Sequence, residues 1–238
     1  CAIFEALADA AVPARAQALR GIALELERLA NHIGDLGALA GDVGFLPTAS
    51  VCGAVRGDFL NMTAQLCGSR LGRSLLRPGG VNFDVDADRL ADLTRRLHKG
   101  RKEVTQAAEI LFDSPSVLSR FENTGTLKRA TAVEIGLVGP AARACGISRD
   151  IRQDFPLGIH QLTQLYVSTA DTGDVNARAL VRWLEIQRSI AFIDEQLATL
   201  PEGGVSVDVG PLKPGQFVAA LTEGWRGEVC HVALTDEK

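Results

Sequence analysis

Methionine occurs once, tyrosine once and tryptophan twice, and no two of the five cysteines form a C-x-x-C pair. Cys1, Cys52, Cys67, Cys145 and Cys230 are odd in number and widely scattered, which suits a reducing compartment rather than a disulfide framework. Long apolar runs are missing as well: none approaches the roughly 18–20 residues a membrane-spanning helix needs, so no direct membrane span is expected. Nor is there an excess of one charge. With 25 basic and 29 acidic residues the formal net charge is −4, which argues against nucleic acid or an anionic membrane surface as the main partner. There is no Walker motif, no G-x-G-x-x-G after a strand, no G-x-S-x-G, no H-E-x-x-H and no signal peptide ahead of the first helix. The four histidines, His32, His98, His160 and His231, stand too far apart to define a local metal site, and no metal ligand is assigned. A chain opening on Cys1 without an initiator Met reads as a piece of something longer.

What is present is ample material for a core: 46% of the 238 residues are hydrophobic. The strongest pattern lies in and around Arg20–Leu46. Leu19, Ile22, Leu26, Leu29, Ile33, Leu36, Ala40 and Val43 alternate steps of three and four, the seam of a long packed helix starting near Pro13 and running to about Gly44. On an adjoining stripe Ala23, Ala30 and Gly37 are small enough to admit another helix. Glu25, Arg28, His32, Asp35 and Asp42 fall in one narrow sector. By periodicity this sector is the solvated back of an amphipathic helix; the sharper alternative is a helix buried on two sides whose polar stripe lines a cleft.

A second helical pattern after Pro47 carries Val51, Val55, Phe59, Met62 and Leu66 and stops at Gly68. Pro78-Gly79-Gly80 marks a turn, near Arg70, Arg73 and Arg77. Asp86 or Asp88 caps a third helix whose apolar face is Leu90, Leu93, Leu97, Val104, Ala108 and Leu111. Residues 114–172 are punctuated by Pro and Gly and read as a loop-rich insertion. Asp171-Thr172-Gly173-Asp174 caps a last helix carrying Val175, Ala179, Val181, Trp183, Ile186, Ile190, Ile193 and Leu197, and Val229–Leu234 suggests a strand. The expected fold is therefore mainly α: a single domain with an antiparallel bundle of long helices over 13–113 and 173–200, and a small β appendage over 203–238.

Six motifs fall in order: ELERLANHIGDLGALAGDVGF; Arg56; G-S-R followed by RPGGV; TG, GLVGPAARACG and DIR; GDVNARALVRWLEIQRS; and GWRGEVCH. Together they resemble the large subunit of nickel–iron hydrogenases of the formate-hydrogenlyase type and its relative, the quinone-site subunit of respiratory complex I. The resemblance spans essentially the whole chain and implies an oxidoreductase whose large subunit sits against an iron–sulfur small subunit and the membrane subunits of one complex, peripheral on the cytoplasmic face of the membrane. In the hydrogenase branch a nickel–iron centre is held by two C-x-x-C pairs, because soft thiolates bridge such metals. This chain matches the region between those pairs, so neither Cys1 nor Cys230 is assigned as a ligand, and the fragment alone is expected to bind no nickel, to hold no cofactor of its own and to be inactive.

Carried over by position, Asp42 resembles the carboxylate beside the quinone-reaction cavity of complex I, where reduction consumes protons. Gly72 stands where the complex I pattern has a histidine near the partner's terminal iron–sulfur cluster, and His231 fits the hydrogenase form of R-G-E-x-x-H; both point toward the hydrogenase branch. His32 and Arg56 match positions common to both branches, with Arg226 near the active-site cavity. Arg143, Asp150 and Arg152 are expected on the surface facing the small subunit. The resemblance also implies a largely buried polar stripe on the long helix. The alternatives are an NADH:quinone oxidoreductase subunit that binds quinone, and a metal-free scaffold or assembly relative. Isolated from its partners, the fragment is expected to self-associate through exposed faces.

Overall fold

The computed structural model describes residues 1–237 and is mostly α-helical with two small antiparallel sheets. A short helix α1 (Ala2–Leu7) leads to α2 (Ala14–Asp42), whose first turn follows Pro13. Proline is at home there because the opening N–H groups of a helix have no intrahelical partner anyway. Helix α3 (Leu46–Cys67) ends at Gly68, which takes the left-handed φ of +74° that L side chains rarely adopt.

A ribbon of β1 (Leu76–Arg77) and β2 (Gly80–Val81) then turns through Pro78-Gly79. Helix α4 (Ala87–Phe112) starts at Asp86, whose Oδ1 accepts from the Arg89 N–H at 2.8 Å. Four short helices occupy the loop-rich insertion: α5 (Pro115–Phe121), α6 (Arg129–Glu134), α7 (Gly139–Arg143) and α8 (Ile151–Asp154), followed by a 3-10 turn at Gly158–Gln161. Helix α9 (Val175–Ala198) is capped by Asp174, which accepts from the Ala177 N–H at 2.8 Å. The chain closes on a hairpin of β3 (Phe217–Gly224) and β4 (Gly227–Leu234), with Phe217 opposite Leu234 and Glu223 opposite Glu228.

Helix α2 is the central element, packed against α3 on one side and α9 on another, while α4 closes the ring by touching α3 and α9. Its seam is buried from Leu19 to Ala40, joined in one core by Phe59 and Met62 of α3, Leu97 and Val104 of α4, and Ile186 and Ile193 of α9. Gly37 shows why the small stripe matters: an added Cβ would lie 2.9 Å from the Cys52 Cβ of α3. Burying a side chain such as Leu26 or Ile33 contributes about 1.5–3 kcal/mol, so this seam dominates the packing.

Candidate functional site

The polar sector of α2 divides along its length. Glu25, Arg28 and His32 are fully buried, Asp35 is half-buried in an ion pair with Arg182 at 2.8 Å, and Asp42 is exposed at the helix end. The buried portion exists because α7, α8, α9 and β3 all converge on it with charged groups of their own. Charges removed from water on this scale persist only when paired and hydrogen-bonded.

Glu25 accepts from Arg152 Nη1 at 3.0 Å, from Arg28 Nε at 3.2 Å and from the Ser189 hydroxyl at 2.6 Å. Burial by itself would raise this carboxyl, but the Arg152 and Arg28 charges hold it down to about 2. Glu185 of α9 accepts from Arg143 Nε at 2.8 Å and meets His32 Nε2 at 2.8 Å. There too burial pushes the carboxyl up, and the His32 hydrogen bond together with the Arg143 charge overrides it, so the group stays well below the usual carboxylate range. Asp150 caps α8 and accepts from Arg152 Nη2 at 2.6 Å; despite burial, that hydrogen bond and the guanidinium charges lower it. Arg143 continues to Glu223 Oε1 at 3.0 Å, and Arg28 Nη2 donates to the Glu223 carbonyl at 2.7 Å. The long helix is thereby tied to the β hairpin.

Beside this network lies a cavity of about 940 Å³, walled by Ile3 and Phe4 of α1, Leu24 of α2, Phe155 and Leu157, with Arg152, His160 and Glu223 on its polar side. Its size is that of a small-molecule site, apolar with a few convergent polar groups. His231 of β4 lies on its rim, exposed. Arg226 is exposed at the hairpin turn and stacks on Trp225, its guanidinium carbon 4.3 Å from the ring centroid. The turn is seated by Gly139, with φ +69°, where an added Cβ would fall 2.1 Å from the Arg226 carbonyl oxygen.

Of the residues singled out in the sequence, the structure brings together Glu25, Arg28, His32, Arg143, Asp150 and Arg152. It corrects the place of the last three. Expected on a surface facing a partner subunit, they are instead buried, at 0%, 1% and 6% exposure: Glu185 and Glu223 pair with Arg143, Glu25 pairs with Arg152, and Arg152 in turn pairs with Asp150, so the charges are met inside the chain. Asp42 and Arg56 are not part of the network or the cavity wall; Arg56 is exposed, its stem crossing Gly34, where an added Cβ would lie 2.9 Å from Arg56 Cδ. The stripe on α2 is buried only as far as His32; Asp35 is half-buried and Asp42 exposed. Gly72 takes φ +67°, so the backbone there favours glycine in its own right.

Glu185, Ser189, Glu223 and His160 were not identified from the sequence. A signal existed for two of them: Glu185, Ser189, Phe192 and Gln196 follow steps of four, three and four beside the apolar face of α9, and all four are buried. No comparable pattern marks Glu223 or His160.

Among the described residues no group of three or more His, Cys, Asp or Glu side chains could hold a metal ion. Cys1 and Cys230 are exposed single thiols, so the donor set for a nickel–iron centre is not supplied by these residues. No described helix is long and apolar enough to cross a membrane.

Residues 42–232 match the family described as respiratory-chain NADH dehydrogenase, 49 Kd subunit. The chain is 31% identical over 237 residues to the carbon monoxide-induced hydrogenase of Rhodospirillum rubrum, covering 99% of this chain and 66% of that protein. It is 30% identical over 231 residues to an NADH-quinone oxidoreductase subunit of Chloroherpeton thalassium, covering 97% and 50%. It is 31% identical over 226 residues to formate hydrogenlyase subunit 5 of Escherichia coli K12, covering 95% and 40%. A chain of the membrane-bound sulfane sulfur reductase, an archaeal respiratory membrane complex, superposes with a TM-score of 0.89 at 25% identity, over 98% of this chain and 65% of that one. The chain thus spans from 40% to 66% of the lengths of these relatives. Six ordered motifs, the α2-centred fold and these matches agree: the chain belongs to the family of the 49 Kd subunit of respiratory-chain NADH dehydrogenase, and is similar to a carbon monoxide-induced hydrogenase, a formate hydrogenlyase subunit and NADH-quinone oxidoreductase subunits.

Proposed function

We propose that this chain is the central, single-domain part of the large subunit of a membrane-associated, hydrogenase-type oxidoreductase, its long helices forming the helical bundle of that subunit. In this reading it exchanges electrons with an iron–sulfur small subunit and stands on the cytoplasmic face of the membrane beside the membrane subunits of the same complex. The observation that carries it is the match of nearly the whole chain, 99%, to a carbon monoxide-induced hydrogenase. The GWRGEVCH hairpin supports it further, presenting Arg226 at its turn and His231 at the cavity rim.

This sequence contains no C-x-x-C pair to hold the nickel of such an enzyme. What the chain contributes is a rigid charged frame behind an apolar cavity, with the small-subunit contacts formed by its exposed residues rather than by Arg143, Asp150 and Arg152. The complex I alternative, a quinone-binding subunit, draws on the 30% identity to the Chloroherpeton thalassium oxidoreductase subunit and on the apolar wall of the cavity. Asp42, the carboxylate that reading would use, lies outside that wall.

The experiment is to purify the complex containing this protein from membranes and assay it twice. Hydrogen evolution from a reduced viologen, with stoichiometric nickel in the complex, supports the hydrogenase reading. Inhibitor-sensitive quinone reduction without nickel replaces it with the complex I reading, and neither activity in an intact complex leaves the scaffold role.

A further inference from the structure

The buried network is unbalanced by one charge. Four carboxylates, Glu25, Asp150, Glu185 and Glu223, face three guanidiniums, Arg28, Arg143 and Arg152, and all seven are buried. A net charge left in such a site is expensive, and one bound proton would balance it.

The geometry says where. A proton on the histidines would create buried N–H groups without acceptors: His32 meets Glu185 through Nε2 while its Nδ1 has no partner, and neither ring nitrogen of His160 has one. Both rings are therefore neutral, in keeping with burial, which lowers each. Among the carboxylates, Glu25 is held by two guanidiniums and a hydroxyl, Asp150 by two hydrogen bonds from the Arg152 guanidinium, and Glu185 by Arg143 Nε and His32. Glu223 also has two partners, but longer and shared ones: the Ile151 N–H at 3.2 Å, and one Arg143 nitrogen at 3.0 Å that also serves the Arg149 carbonyl at 2.8 Å and lies 3.4 Å from Asp150.

The other charges around Glu223 do not change this. Its cross-strand neighbour Glu228 is already paired with Arg149 at 2.9 Å, and Arg28 engages the Glu223 backbone carbonyl rather than the carboxyl. Glu185 takes Arg143 Nε, and Glu25, further along the same network, is paired with Arg152 and Arg28. Burial and then the nearby Asp150 charge push the Glu223 carboxyl up, alone among the network's carboxylates.

We propose that Glu223 is a proton-holding residue, carrying the network's extra proton at neutral pH and exchanging it with the contents of the 940 Å³ cavity whose wall it forms. On release the Glu223 O–H bond breaks, the proton passes to a basic oxygen or a water in the cavity, and the carboxylate left behind is held by Arg143 and the Ile151 N–H. A proton from solvent restores the acid. This rests on the proposed oxidoreductase reading only for the use of the proton, since hydrogen chemistry and quinone reduction both need one; the protonation state stands apart from it.

Infrared spectroscopy of the intact protein tests it. At pH 7 a protonated-carboxyl C=O stretch is expected that moves on carbon-13 glutamate labelling, does not move on aspartate labelling, and shifts promptly in D2O. It should be missing from Glu223→Gln, while Asp150→Asn, which removes a neighbouring negative charge, should move its disappearance to lower pH. Absence of the band from the labelled wild-type protein overturns the proposal even if the Gln variant fails to fold. So does a band that persists in the folded Gln variant, or one that resists D2O until unfolding. A band with all the expected properties in a complex lacking both activities supports the proton site while removing the enzyme reading.

Discussion

His32 on α2 and Glu185 on α9 meet directly at 2.8 Å, joining helices whose contact residues are 153 positions apart in the chain. Glu185 is at the same time the acceptor for Arg143 Nε, so one carboxylate fixes two helices and the insertion segment.

Removing that carboxylate should be costly. Glu185→Ala leaves Arg143 and His32 facing an empty position, and breaking a buried ion pair by deleting one partner costs about 3–5 kcal/mol. Denaturant unfolding monitored by circular dichroism should show that loss, whereas Asp42→Ala at the exposed end of α2 should stay within about 0.5 kcal/mol.

Acid should unfold the protein through the same network. Glu25, Asp150 and Glu185 have folded-state values below the ordinary carboxylate ones, so their stabilisation is fully present above about 4.5 and is lost as pH falls through the folded values, with Glu25 at about 2. Thermal midpoints should therefore drop steeply between pH 4.5 and 2. Glu223 has the opposite sign: raised in the folded state, its contribution is present at low pH and lost as pH rises through its folded value. Glu223→Gln should flatten the alkaline side of the profile without removing the acid limb.

Gly139→Ala combines a φ of +69° with a Cβ placed 2.1 Å from the Arg226 carbonyl. Backbone strain of this kind costs about 1–3 kcal/mol before the clash is counted. The β3–β4 hairpin should loosen from α7, seen as faster amide hydrogen exchange over 217–234 with α2 protection unchanged.

Arg226→Ala gives up only an exposed cation–π contact worth about 0.5–1 kcal/mol. If the side chain serves the active-site cavity of the assembled enzyme, turnover of the complex should fall at least tenfold while thermal stability is nearly unchanged.

The isolated chain should self-associate. Phe217 and Leu234 are paired across the hairpin at 68% and 78% exposure, an open apolar edge that invites a second strand. Sedimentation should show concentration-dependent mass growth, reduced by Phe217→Lys with Leu234→Ser.

The sequence by itself determined the long helices and their seams, because periodicity and capping act between residues three or four apart: Leu19 to Ala40, Asp86 and Asp174 all do in the structure what their spacing requires. The Gly-rich turns and the late strand were legible for the same reason. Only the tertiary structure decided the charged centre. Glu25 finds Arg152 across 127 positions and Arg143 finds Glu223 across 80, and nothing local distinguishes a buried arginine from one facing solvent. The resemblance implies a partner surface for Arg143, Asp150 and Arg152; the Asp150–Arg152 pair is local, but the glutamates that complete the network lie on α2, α9 and β3. It took the convergence of α2, α9 and β3 to withdraw them from water, and the same convergence left Asp42, one helix end away, exposed.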